Sequence, residues 1–112
     1  MSKTVKLDAA KLLARVPEEY VFWCQDGHVL RDINELGEAL AGMSDETFVF
    51  HSNTEKNDFS NWVRDIIGDE KLTRDLLESQ NRTQAAKKVA ERVDFLKAKL
   101  AWRARGNTVT YK

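Results

Sequence analysis

A chain of 112 residues suits a single domain, since folded domains most often hold about 100–150 residues. Its 42% hydrophobic share is enough for a real core and excludes a disordered chain, while 18 Lys and Arg balance 18 Asp and Glu, so net charge selects no polyanionic partner. A lone cysteine, Cys24, excludes an internal disulfide, and neither a signal peptide nor a membrane-length apolar run is visible, so the cytoplasm is the expected compartment.

The first predicted element is a short helix over residues 7–16, with Leu12, Leu13 and Val16 at helical spacing, Asp8 as its cap and Pro17 as its stop. The aromatic and β-branched run from Tyr20 to Gln25, then Asp26-Gly27, then His28 to Arg31, predicts a hairpin closed by a two-residue primed turn. Cys24 sits inside that run, where a small buried residue is expected rather than a reactive thiol. Asp32 with Glu35 three positions on has capping-box spacing, and Ile33, Leu36, Leu40 and Met43 share the face of the helix that follows. After Gly42 and Ser44, the β-formers of Thr47-Phe48-Val49-Phe50-His51-Ser52 predict a third strand with His51 at its end.

Asn57 or Asp58 then caps a helix carrying Phe59, Trp62, Val63, Ile66 and Ile67. Gly68 ends it in the left-handed conformation, and Asp69 caps the next helix, expected to bury Leu72, Leu76 and Leu77. From Thr83 the stripe Ala86, Val89, Ala90, Val93, Leu96 and Leu100 predicts a helix of about five turns, packed along the domain or against a partner. Residues 101–112 read as a basic tail or an edge strand beyond a globular domain of residues 1–100. The expected class is α+β: a three-stranded sheet of order 2-1-3, covered by helices on both faces, with several short helices and one long C-terminal helix.

Charge is distributed unevenly. Residues 81–112 hold nine Lys or Arg against two acids, a balance of +7, so residues 1–80 carry −7. Such asymmetry marks a basic arm for an external polyanion or acidic partner, or two parts attracting each other within one fold; the second is the expectation. One Cys and two His are too few for a structural zinc site, and the five glycines are too scattered for a phosphate-binding loop. No nucleophile elbow appears, and a grouping of His51, Asp58 and Asp65 is the sole acid–base or metal-binding candidate, so no catalytic residue, cofactor or metal is expected.

Phe48-Val49-Phe50-His51, then Asn57-Asp58-Phe59-Ser60-Asn61-Trp62-Val63-Arg64-Asp65, then Ile67-Gly68-Asp69, resembles the signature of a prokaryotic domain family of unknown function. The likeness runs from about Tyr20 to Leu77 and implies kinship of fold, with no reaction attached. Within the motif, His51, Arg64 and Asp65 are what capping and packing leave over, so they are candidate binding residues. Lys88, Arg92, Trp102, Arg103 and Arg105 form a second candidate set, since an aromatic plane beside cations is how single-stranded nucleic acid is held. The leading expectation is a non-catalytic module binding a protein partner or a second copy of itself, with no membrane contact; nucleic-acid binding through the basic C-terminal helix and tail is the alternative.

Overall fold

The structure, a computed structural model, describes residues 8–106. Helix α1 (Ala9–Leu13) is capped by Asp8, whose carboxylate accepts the Lys11 N–H at 3.1 Å. A 3-10 turn (Glu18–Tyr20) leads into β1 (Phe22–Trp23), which pairs antiparallel with β2 (Val29–Leu30), Phe22 opposite Leu30 and Trp23 opposite Val29. The hairpin loop holds three residues, Gln25, Asp26 and Gly27, rather than the expected two. Cys24 N–H donates to His28 O (2.9 Å) and Gly27 N–H to Cys24 O (3.0 Å), with Gly27 at φ +98°. A three-residue hairpin places its left-handed residue last, which is where this chain has its glycine. Asp26 fastens the loop by accepting the His28 N–H at 3.0 Å.

Helix α2 (Ile33–Gly42) begins where expected, with Asp32 accepting the Glu35 N–H at 2.8 Å, and it buries Ile33, Leu36 and Leu40. Gly37 lies where α2 meets the last helix, and a Cβ there would sit 3.0 Å from Val89 Cγ1, so Val89 would have to give by a few tenths of an ångström to admit a larger residue.

The third strand is not formed, and the order 2-1-3 falls with it: among the described residues the sheet is the β1–β2 hairpin alone. The segment is helix α3 (Asp45–His51). Ser44 caps it by accepting the Thr47 N–H at 3.1 Å, and Asp45 and Glu46 in the first turn favour the positive end of the helix dipole. Thr47, Phe48 and His51 are buried while Val49 and Phe50 are exposed, a spacing of three and four that an alternating strand cannot produce. Helices on both faces of the sheet are likewise not seen, because Trp23 is 70% exposed while Phe22 is buried.

Asn57 caps α4 (Asp58–Trp62) by accepting the Ser60 N–H at 3.0 Å, and this leaves the Asp58 side chain for another partner. The helix widens into a π-helical turn (Val63–Ile67) closed by Gly68 N–H on Val63 O at 2.7 Å, with Gly68 left-handed at φ +88°. Asp69 caps α5 (Glu70–Glu78), accepting the Leu72 N–H at 3.1 Å; Leu72, Thr73 and Leu76 are buried, whereas Leu77 faces out, contrary to expectation.

Asn81 opens α6 (Arg82–Gly106) by accepting the Gln84 N–H at 2.9 Å. Its buried stripe is Ala85, Val89, Val93 and Leu96, with Ala90 exposed. The helix runs straight through residues 101–106, which sequence assigned to a tail, and residues 107–112 lie outside the described part. One core joins α1 through α6 and includes Phe22 packed on Phe59 and Trp62, together with Leu36, Leu72, Val89 and Leu96. Among the described residues no helix is long and apolar enough to cross a membrane.

The capped helix at residues 45–51 makes a direct test. Ser44→Ala removes a side-chain cap and is expected to cost about 1 kcal/mol in urea unfolding; an unchanged midpoint would argue against α3.

Candidate functional site

Three places gather the polar side chains, and the first surrounds His51. Helix α3 turns the imidazole inward, where Gln25 N–H donates to Nε2 at 2.9 Å and Nδ1 lies 2.9 Å from Asp58 Oδ2. Because Nε2 accepts, the ring proton sits on Nδ1 and is donated to Asp58. Phe22 (5.1 Å), Phe59 (5.2 Å) and Phe50 (4.9 Å) enclose the ring. Asp58 also takes Lys56 Nζ at 3.0 Å. Burial works to raise the Asp58 pKa, but hydrogen bonds from His51 and Lys56 outweigh it and hold the carboxyl below its usual range. His51 therefore ties the hairpin to α3 and α4, with both ring nitrogens engaged inside the fold.

Arg64 and Asp65 do not join it. They lie side by side on the exposed flank of the π-helical turn, Arg64 Nε on Asp65 Oδ1 at 2.9 Å and Nη2 on Oδ2 at 3.2 Å. Asp65 consequently pairs with its neighbour and not with the His51–Asp58 dyad. Cys24, beside the same hairpin loop, is buried, and that burial pushes its thiol pKa up, which disfavours the reactive thiolate.

The second place is a buried ion pair. Arg92 donates through Nε to Asp69 Oδ2 at 2.8 Å and through Nη2 to Oδ1 at 3.0 Å, a bidentate fork in which both side chains are nearly inaccessible. Arg92 thus serves the interior and does not belong to an exposed basic patch, which corrects its place among the binding residues. The same carboxylate caps α5, and Thr73 Oγ1 donates to the Asp69 backbone oxygen at 2.8 Å.

The third place is the outer face of α6. Lys88, Phe95, Lys99 and Trp102 follow one another at steps of seven, four and three residues, so they line one side of the helix. Phe95 is 46% and Trp102 59% exposed. The Phe95 ring carries the Arg92 guanidinium on one approach and the Lys99 ammonium on another, each 5.4 Å from its centroid. A groove of about 230 Å³ opens beside it toward α5, lined by Lys71, Asp75, Lys88, Glu91, Arg92 and Phe95. Past Leu96 every side chain as far as Trp102 is exposed, so this end of α6 carries Leu100 and Trp102 with no cover among the described residues. Lys88 and Trp102 lie on one face of α6, although Trp102 was expected in a tail; Arg103 and Arg105 continue the helix, with side chains outside the described part. Phe95 was missed, although its spacing of seven from both Lys88 and Trp102 was readable.

Among the described residues no three His, Cys, Asp or Glu side chains gather as metal donors. No protein family, curated protein or solved structure matches this chain.

Two measurements follow from the buried groups. Asp58 has a depressed pKa in the folded state, so its contribution is complete above the unfolded value near about pH 4 and is lost as pH falls through the lower folded value. Asp58→Asn is expected to flatten that acid limb in pH-dependent urea titrations; an identical acid limb would show that the His51 and Lys56 contacts are not formed. Arg92→Leu strands the Asp69 carboxylate and is expected to cost about 3–5 kcal/mol; a loss near zero would mean that the pair is solvated.

Proposed function

We propose that this protein is a small non-catalytic interaction module that takes a protein partner along the outer face and free end of α6. The observation behind this is the row Lys88, Phe95, Lys99 and Trp102, in which two large aromatic side chains, Phe95 and Trp102, stay exposed, the second on a stretch of α6 with no cover among the described residues. Buried aromatic anchors ringed by polar groups carry most of the energy in protein interfaces. A non-catalytic role is supported by the engagement of both His51 nitrogens and by the pairing of Asp65 with Arg64.

Nucleic acid fits this face less well. In the groove, Lys71 is matched by Asp75 at 2.7 Å, and Glu91 of the groove lies 3.8 Å from the neighbouring Lys87, so acids interrupt the positive potential that phosphates require. Kinship with the prokaryotic family whose signature the chain resembles, and a cytoplasmic setting, belong to the same reading. In its support, Phe48, His51, Asn57, Phe59, Trp62, Gly68 and Asp69 each cap, pack or turn the chain, and Asp58 holds the His51 ring.

A photocrosslinking residue in place of Trp102, in cells that express the protein, is expected to yield discrete protein adducts, with none from the same residue placed at the exposed Glu55. Crosslinks to nucleic acid from position 102, accompanied by a salt-sensitive oligonucleotide complex in light scattering, would overturn the protein-partner reading.

A further inference from the structure

Lys88, Arg92, Phe95, Lys99 and Trp102 follow one another along α6 at intervals of four, three, four and three residues, the spacing that keeps a seam turned toward a second helix lying alongside. Arg92 is turned inward to Asp69, so the exposed seam alternates lysine with aromatic ring. Beside its first half stands α5, whose Lys71 and Asp75 line the same groove of about 230 Å³ as Lys88 and Phe95. A segment resting on the row is therefore seated between two helices over that stretch.

Other cations around the row are already matched: Lys71 by Asp75 at 2.7 Å, Lys87 by Glu91 at 3.8 Å and Arg92 by Asp69 at 2.8 Å. Among the described residues Lys88 and Lys99 have no carboxylate partner, and the Lys99 ammonium rests on the Phe95 ring. These two lysines stand eleven residues apart on one unbroken helix, about 16 Å at 1.5 Å rise per residue. Eleven residues is close to three whole turns, so both lie on the same side. A second copy of the chain fits this row poorly. A two-fold contact sets the same patch against itself, so a row of positive charge would meet its own equivalent.

We infer that the occupant of this row is an acidic amphipathic helix of another protein. Carboxylates about three turns apart on that helix meet Lys88 and Lys99, and its aliphatic side chains pack on Phe95 and Trp102. The rings supply the apolar area, while the two charge contacts set the register and reject a basic or neutral segment. This inference rests on the outer face of α6 being a protein-binding surface and names the chemistry of its partner.

A fluorescein-labelled synthetic helix, with leucines at the three-four spacing and glutamates flanking them, is expected to bind the full chain in anisotropy titrations, more weakly as salt rises. The same peptide with glutamine at every glutamate should bind about tenfold more weakly or worse. So should the acidic peptide to Lys88→Glu with Lys99→Glu, or to Trp102→Ala, while circular dichroism stays unchanged because these side chains are exposed. Lysine at the peptide's glutamate positions should restore binding to the doubly reversed chain. An acidic peptide that stays unbound at about 100 μM protein, or that binds the variants as it binds wild type, would overturn the acidic-helix partner. A single-stranded oligonucleotide that binds more tightly than the peptide, and loses that affinity in the same variants, would assign the row to phosphates instead. Should the peptide fail while a crosslinking residue at position 102 still captures proteins in cells, the acidic helix alone falls; without such adducts the interaction reading falls with it.

Discussion

The Asp69–Arg92 pair sets the geometry on which the other contacts depend. Two opposite charges leave water together, and the bidentate fork fixes the helix carrying Arg92 in both rotation and height against the start of α5. Asp69 does this while also capping α5, so one carboxylate ends the turn after Gly68, starts a helix and holds α6. With α6 held at its middle, Val89 packs against Gly37 of α2, and Arg82 reaches the end of α2 and the start of α3. Single-partner substitutions are costly at such a site because the remaining charge has no solvent to turn to.

At the other end of the domain His51 plays the equivalent part with a neutral group. Its two nitrogens join a hairpin amide to a helix carboxylate, and the aromatic faces of Phe22 and Phe59 pack on the ring. Trp62 adds a hydrogen bond from Nε1 to the Tyr20 carbonyl at 2.8 Å, which fixes the approach to β1. A sheet of two short strands is marginal by itself, so these side-chain bonds and the aromatic core supply what a third strand would have contributed.

Charge segregation in the chain is only partly used within the fold. Arg92 and Arg82 pair with Asp69 and Asp45, which is internal complementarity of the kind the uneven sequence suggested. Lys97 and Lys99 stand beyond Leu96, the last buried residue of α6 among those described. The helix is longer than the core it covers, and its surplus length carries Leu100 and Trp102 into solvent. The proposed interaction role rests on that exposed length of helix.

Most helix starts and the sharp turns were legible in the sequence because their causes are local. Asp8, Asp32 and Asp69 each accept an amide proton three residues on, and Gly27 and Gly68 take up positive φ, all within a few residues of chain. The buried face of α2 was equally plain from its spacing. Residues 47–52 misled because the three apolar residues Phe48, Val49 and Phe50 are too short a run to separate a period of two from one of three and four, and β-formers tipped it toward strand. What settles it is distant: His51 gains Gln25, 26 residues away, only when the segment is helical and turned inward. Arg92 read as a surface cation for the same reason, since its partner lies 23 residues back and across a helix pair. Local sequence determined where elements begin and end; tertiary structure alone decided which charges are buried and which aromatics remain outside, because those outcomes depend on partners far apart in the chain.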